Sequence, residues 1–220
     1  AYEHVDPAIF GNRREITVSA QAGRANILQT AKKLGFELDR NDRRVSEILA
    51  TVKKLEGQGV ALEMANATLA LVFARKLSNS RNPFTVVSWK ATVAKSGKAS
   101  AARCKIKVKV GDQTIQRSAS GNGPVNAFDL ALRKALSCRW QEISNMRLTA
   151  YRVRELDPER ATAAKVVVHV DYSDGPVDWT TAAVSTNILD ASMRALVDGY
   201  QYFLWTENRK GQTVPMAGLP

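Results

Sequence analysis

The sequence has two cysteines in 220 residues, Cys104 and Cys138. That is too few for a disulfide-stapled scaffold and fits two reduced thiols in a cytoplasmic protein. The two histidines, His4 and His169, lie far apart with no cysteine beside either, so no metal site is expected. No run of about 18 apolar residues occurs, which excludes a membrane-spanning helix. The opening "AYEHVDPAIF" has neither the basic nor the apolar region of a secretory leader. It also lacks an initiator Met, so a piece of a longer chain is expected. Gly-x-Ser-x-Gly, the Walker loop and Gly-x-Gly-x-x-Gly are all absent, which removes the familiar nucleophile and nucleotide signatures. Acidic residues are scarce in the first part: residues 1–120 hold 21 Lys/Arg against 10 Asp/Glu, and residues 121–220 hold 11 of each. The whole net charge of +11 therefore belongs to the first part. Such an excess admits nucleic acid, a solvated face, or a surface that meets an acidic partner.

Hydrophobic residues make up 45%, enough for a sizeable core. The first part reads as helices. "GRANILQTAKKLGF" puts Ile27, Leu28, Ala31 and Leu34 on one face and stops at Gly35. "NDRRVSEILATVKKLEGQG" has Asn41 as its N-cap and Val45, Ile48, Leu49, Val52 and Leu55 as its stripe. "ANATLALVFARKL" turns Leu69, Val72, Phe73 and Leu77 inward. "SNSRNP" marks a boundary, giving units at 1–40, 41–80 and 81–220.

Beyond the boundary the period changes to two. "FTVVSWKATVAK" is a strand, "ASAARCKIKVKVGDQTIQRSA" is a pair turning at Gly111-Asp112, and "PVNAFDLALRKAL" is a helix. The order then repeats: "MRLTAYRVREL", a pair around Asp174-Gly175, and a helix in "STNILDASMRALVDGYQYFLW". Matching Asn126 with Asn187, Asp129 with Asp190, Leu132 with Met193 and Arg133 with Arg194 gives an offset of 61 residues. The expected fold is α+β: helical linker subdomains followed by duplicated βββα units, strands packed on helices.

"SASGNGPVNAFD" has the composition of an anion-holding loop before a helix. Its duplicate "TAAVSTNILD" lacks the glycines, so it is not a phosphate motif used twice. A duplex-RNA module needs lysines at that helix start, whereas no cation appears there until Arg133. Stacking aromatics among the basic residues are missing apart from Trp89. Nucleic acid is therefore not the expected partner, and "KIKVKV" reads as the wet face of an amphipathic strand. Two readings of the loop remain. In one, Gly121, Gly123 and the two helix N-termini hold the carboxylate of a free amino acid, with Asn126 or Asn187 on its polar groups and Leu148 and Tyr151 as apolar walls. In the other, Gly121-Asn122-Gly123 is a tight turn and the asparagines are helix caps.

The opening "YEHVDPAIFGNRREITVSAQAGRANIL" resembles the stretch that follows the catalytic barrel in the family of 2-isopropylmalate, citramalate and homocitrate synthases. "SGNGPVNAFDLALRKAL", "TAYRVREL", "ATAAKVVVHV" and "VSTNILDASMRALVDG" are similar, in that order, to the same family's C-terminal regulatory domain, most like the citramalate branch. The resemblance implies a parent acyltransferase that condenses acetyl-CoA with a 2-oxo acid. It places the divalent metal and the acyl-CoA site in a barrel that this sequence lacks, so no cofactor is expected here and the stretch alone should be inactive. It implies a homodimer and a branched-chain amino acid effector, isoleucine in the citramalate branch or leucine in the isopropylmalate branch. Effector contacts would fall on Gly121, Gly123, Val125 and Asn126, on Leu148, Tyr151 and Ala163, and on Thr186 and Asn187. Tyr2 matches a tyrosine that reaches into the partner subunit's active site. The alternatives in other classes are an RNA-binding module and a purely dimerising one.

Overall fold

The computed structural model describes residues 23–78, 82–96 and 99–212; Tyr2 and the rest of the opening motif lie outside the described residues. Three helices come first: α1 (Arg24–Lys33), α2 (Arg43–Gly57) and α3 (Asn66–Leu77). The cap of α2 is Asp42 rather than the expected Asn41, its carboxylate accepting from the Arg44 N–H at 2.8 Å. Val45, Ile48 and Val52 are buried as the stripe requires. Helix α3 departs from the expected amphipathic pattern: every residue from Ala67 to Ala74 is buried. It is enclosed by α2, by a later strand and by the last helix, so a helix apolar all round is what this position demands.

Two three-stranded antiparallel meanders follow. The first is β1 (Thr85–Ser96), β2 (Ala99–Val110) and β3 (Gln113–Gly121), leading into α4 (Pro124–Leu136). The second is β4 (Arg147–Glu155), β5 (Val166–Ser173) and β6 (Asp178–Ser185), leading into α5 (Ile188–Gln212). The hairpins turn where expected, with left-handed Gly111 (φ 55°) and Gly175 (φ 100°). Helix α4 packs on the first sheet and α5 on the second, and the two helices meet in one shared core. This is the α+β arrangement of duplicated βββα units.

The register of the duplication is 64 residues, not the expected 61. Gly121 and Ser185 end the third strands, and the carbonyls of Gly123 and Asn187 accept the first helical bonds, from Ala127 and Ala191 (185 − 121 = 187 − 123 = 64). Buried Ala127, Ala131 and Leu132 then fall on buried Ala191, Ala195 and Leu196. A slip of three residues turns a helix by only about 60° short of a full turn, so the apolar stripe still matches approximately.

The sheets differ in what covers them. In β2, Ala102, Cys104, Ile106 and Val108 are buried beneath α4 while their alternates are exposed. In β5 both faces are buried: Val168, Val170 and Tyr172 face the shared core, and Val167 joins Ala182 in the core of α1–α3. Helix α3 also covers the free edge of β6. Asn66 Oδ1 accepts from the Thr180 N–H at 2.8 Å, and Thr68 Oγ1 from the Ala182 N–H at 2.7 Å. Those are the donors an edge strand would otherwise present to another chain.

Candidate functional site

Gly121 closes the first sheet, paired with Ala102. A Cβ there would lie 2.7 Å from the Ala127 backbone nitrogen and 2.4 Å from Asn126 Oδ1. Glycine is thus required because α4 comes down onto the strand end. Gly123, the N-cap position, has open space at its Cβ position and extended backbone (φ −160°). No side chain caps α4. Asn126 turns back instead, its Oδ1 accepting from the Asn122 N–H at 3.2 Å, and so braces the loop. Val125 beside it packs against the shared core. Gly121, Gly123, Val125 and Asn126 therefore form one local group.

Asn187 is a true N-cap of α5, accepting from the Leu189 N–H at 2.9 Å and the Asp190 N–H at 3.4 Å. Thr186 precedes it, also exposed. Ala163 ends a 3₁₀ turn in the β4–β5 connection, two residues after Ala161, which has φ 49° and ψ −123°. Since Glu155 pairs with Val166 and Val166 with Ser185, Ala163, Thr186 and Asn187 all lie beyond the same end of the second sheet.

Leu148 and Tyr151 are three residues apart, which in a regular strand would put them on opposite faces. A bulge between Leu148 and Ala150 corrects this: Leu148 pairs with Tyr172 and Tyr151 with Val170, both on the core-facing side. Val153, opposite Val168, continues the row. Helix α5 does not cover the outer part of this strand, so Leu148, Tyr151 and Val153 keep 38%, 38% and 40% of their surface exposed. The Tyr151 hydroxyl meets Ser192 Oγ at 2.7 Å, and Ser192 in turn donates to the Ile188 carbonyl. Ile188, one turn before Ser192 at the start of α5, is also exposed. The first unit repeats the device with a bulge between Val86 and Ser88, after which Trp89 faces inward and meets Phe128 edge-on. Val153 and the two bulges escaped sequence reading, although three apolar residues at 148, 151 and 153 carry the shifted spacing that signals a bulge.

Leu148 lies at the end of β4 where Arg147 pairs with Ser173, the opposite end from Thr186 and Asn187. Seven residue steps lead from it to Glu155, about 23 Å at 3.3 Å per residue. Among the described residues no hydrogen bond joins the Gly121–Asn126 loop to either group. One chain therefore does not gather all the expected contacts around one small ligand.

The two units are joined by a partly buried polar chain. Tyr200 donates to Asp129 Oδ1 at 2.8 Å, and Arg133 lies over the Tyr200 ring at 5.6 Å while donating to the Ile143 carbonyl at 2.7 Å. Burial pushes the Asp129 carboxyl above its ordinary range, opposed by the Tyr200 hydrogen bond and by Arg133. His169, on β5, is held below its ordinary value first by burial and then by Arg152 and Arg154. Among the described residues no group of three or more His, Cys, Asp or Glu side chains gathers to hold a metal ion. No described helix is long and apolar enough to cross a membrane.

Residues 63–204 match the family described as the LeuA allosteric (dimerisation) domain. The chain is 42% identical over 208 residues to an (R)-citramalate synthase of Synechocystis, with 92% of this chain covered. It is 37% identical to the (R)-citramalate synthases of Sulfolobus acidocaldarius and Geobacter sulfurreducens, over 94% and 92% of this chain. It spans only 38%, 38% and 39% of the length of those three relatives.

Proposed function

The chain belongs to the LeuA allosteric (dimerisation) domain family, and from that premise we propose that it is the effector-sensing, dimerising region of a citramalate synthase. The carrying observation is the apolar row Leu148, Tyr151 and Val153, left partly exposed on the core-facing side of an edge strand. Such a row is unfinished core, and a second copy of the chain can complete it. Pairing also resolves the separation of the expected contacts, because two chains can bring the Gly121–Asn126 loop, the β4 row and the Thr186–Asn187 helix start together where one does not.

The effector in this reading is isoleucine. Its aliphatic side chain suits the Leu148–Tyr151 walls, and its carboxylate suits the open backbone at Gly123 before the uncapped start of α4. The effector inhibits by binding more tightly to the state in which the paired domains restrain the rest of the enzyme, and its effect is bounded by that difference in affinity. The parent reaction, acetyl-CoA with pyruvate to citramalate, belongs to the part of the longer cytoplasmic protein that carries the barrel and its divalent metal. This chain alone binds and does not catalyse. Tyr2 is assigned to the partner subunit's active site, and Tyr2→Phe in the full-length enzyme lowers kcat if the assignment holds.

Calorimetric titration of the chain with isoleucine, leucine, valine and threonine tests the reading, with sedimentation run alongside. Saturable isoleucine binding to a dimer, lost in Leu148→Asp, is expected. Leucine preference would move the parent to isopropylmalate synthesis. A folded dimer that binds none of the four would refute the sensing role and leave dimerisation alone.

A further inference from the structure

The two sheets come from one duplicated unit, yet their outer faces have opposite fates. That of the second sheet is covered, with Val167, Ala182 and Val184 packed into the helical core. That of the first is bare. Its outward residues follow from the register: Lys90, Thr92 and Ala94 on β1 stand opposite Lys105, Arg103 and Ala101 on β2. These in turn face Ser118 and Ser120 on β3, and Lys107 and Lys109 face Gln116 and Thr114.

The face carries five cations, Lys90, Arg103, Lys105, Lys107 and Lys109, and no carboxylate. Nor does the surrounding sequence supply one: from Met64 to Gly111 there is no Asp or Glu. None of the five takes part in an ion pair among the described residues. Lys90 and Lys105 are direct cross-strand neighbours, a pairing of like charges that weakens a sheet. A face needed only for solubility mixes the two signs.

The face is also shaped. Ala94, Ala101, Ser118 and Ser120 are small and form the floor of a trough of about 690 Å³, with Lys90, Arg103 and Lys105 among its walls. Along β2, Arg103, Lys105, Lys107 and Lys109 recur every second residue, a repeat of about 6.8 Å. An extended polypeptide with acidic side chains at alternate positions has the same repeat. Hydroxyl and amide groups of Thr92, Gln116, Ser118 and Ser120 supply neutral donors beside the cations. Single-stranded nucleic acid is favoured by aromatic platforms and by arginine. Here four of the five cations are lysine, and the aromatic ring of the sheet, Trp89, points inward to Phe128.

We propose that the outer face of the β1–β2–β3 sheet is a docking surface for an extended acidic polypeptide segment, held by the Arg103–Lys109 row and Lys90. This surface is separate from the β4 row, so it stands or falls independently of effector binding.

The test is a fluorescence titration of the whole chain with three probes. They are a peptide of about a dozen residues alternating Glu and Thr, an isomer with the same glutamates in one block, and single-stranded RNA of equal charge. The alternating peptide is expected to bind saturably at low salt and to weaken steeply as the Debye length shortens. Lys105→Glu with Lys107→Glu should weaken it at least tenfold. The neutral pair Lys105→Thr and Lys107→Thr, better suited to a strand, should weaken it less and keep the wild-type melting profile. Reversal of the exposed α2 pair, Lys53→Glu with Lys54→Glu, should leave it unchanged. Equal loss in that α2 variant, equal binding of the block isomer, or no binding at low salt would overturn the proposal. Tighter binding of the RNA would overturn it in favour of nucleic acid.

Discussion

Gly199→Ala is the substitution on which the packing account is most exposed. A glycine inside a helix is normally worse than alanine by about 1 kcal/mol, so replacing it should stabilise. Here the new Cβ would sit 2.1 Å from Cε2, 2.5 Å from Cζ and 2.8 Å from Cδ2 of Tyr172. The ring cannot step aside. Tyr172 is fully buried, stacked on Trp179 at 5.6 Å, edge-on to Tyr200 at 6.1 Å, and its hydroxyl donates to the Leu196 carbonyl at 3.3 Å. Relief requires the helix or three aromatic rings to move by about an ångström, and overpacking of that kind costs about 1–3 kcal/mol beyond any propensity gain. We expect a net loss of about 2 kcal/mol by urea unfolding, which for a chain of this size lowers Tm by about 4–8 °C. The sign should reverse in a Tyr172→Leu background, where adding Gly199→Ala should stabilise by about 1 kcal/mol because the obstructing ring is gone. Gly199→Ala as stable as wild type, or a cycle without sign reversal, would refute the reasoning.

Four further outcomes follow from particular residues. Between its ordinary value of 3.8 and its raised folded value, Asp129 holds more protons in the folded than in the unfolded chain, so its contribution to stability falls as pH rises through that window. Urea unfolding of wild type and Asp129→Asn at about pH 4 and about pH 7 should therefore show the difference moving in favour of wild type on acidification; a constant difference would contradict it. Gly121→Ala should cost about 1–3 kcal/mol because its Cβ meets the Ala127 backbone. Gly123→Ala should stay within about 0.5 kcal/mol and yet weaken isoleucine, a split that unfolding and calorimetry can read separately. Ala161→Gly should gain up to about 1 kcal/mol by relieving the positive φ, less the added freedom of the unfolded chain, and should be checked by the same unfolding assay.

Much of the fold was legible because burial on one face leaves a period. "ARCKIKVKV" alternates since the first sheet is covered on one side only, and the two Gly-containing turns sit where left-handed backbone is needed. The same logic, carried one step further, explains "KVVVHVDY": a nearly unbroken apolar strand announces cover on both faces, which α5 and the helical core supply. Helix α3 misled in the same way, its stripe hidden by being apolar all round. The duplication was visible and its register was not. Helices tolerate a three-residue slip, whereas the strand pairing, the first helical hydrogen bonds and the left-handed turn glycines Gly111 and Gly175 all give 64.

The candidate site was legible only in pieces, for a related reason. Sequence order places the Gly121 loop and Asn187 before the two repeat helices and Leu148 on the strand between them, but the bulge that turns Leu148 and Tyr151 to one side shows only as the shifted spacing of the apolar residues at 148, 151 and 153. Nor does sequence order show that the β4 row, on the core-facing side, runs out from under α5 while Ala163, Thr186 and Asn187 lie beyond one end of the sheet. A duplicated unit buries its apolar surface best when each half covers the other; here Val87 and Val93 on β1 stay exposed, as does the row Leu148, Tyr151 and Val153 on β4. That exposed β4 row costs the isolated chain stability that a second copy can restore. Dimerisation and effector binding would then share one surface, and Leu148→Asp should abolish both together while Gly123→Ala weakens only the second. Separation of the two losses in the Leu148→Asp protein would show that the ligand and the partner use different faces.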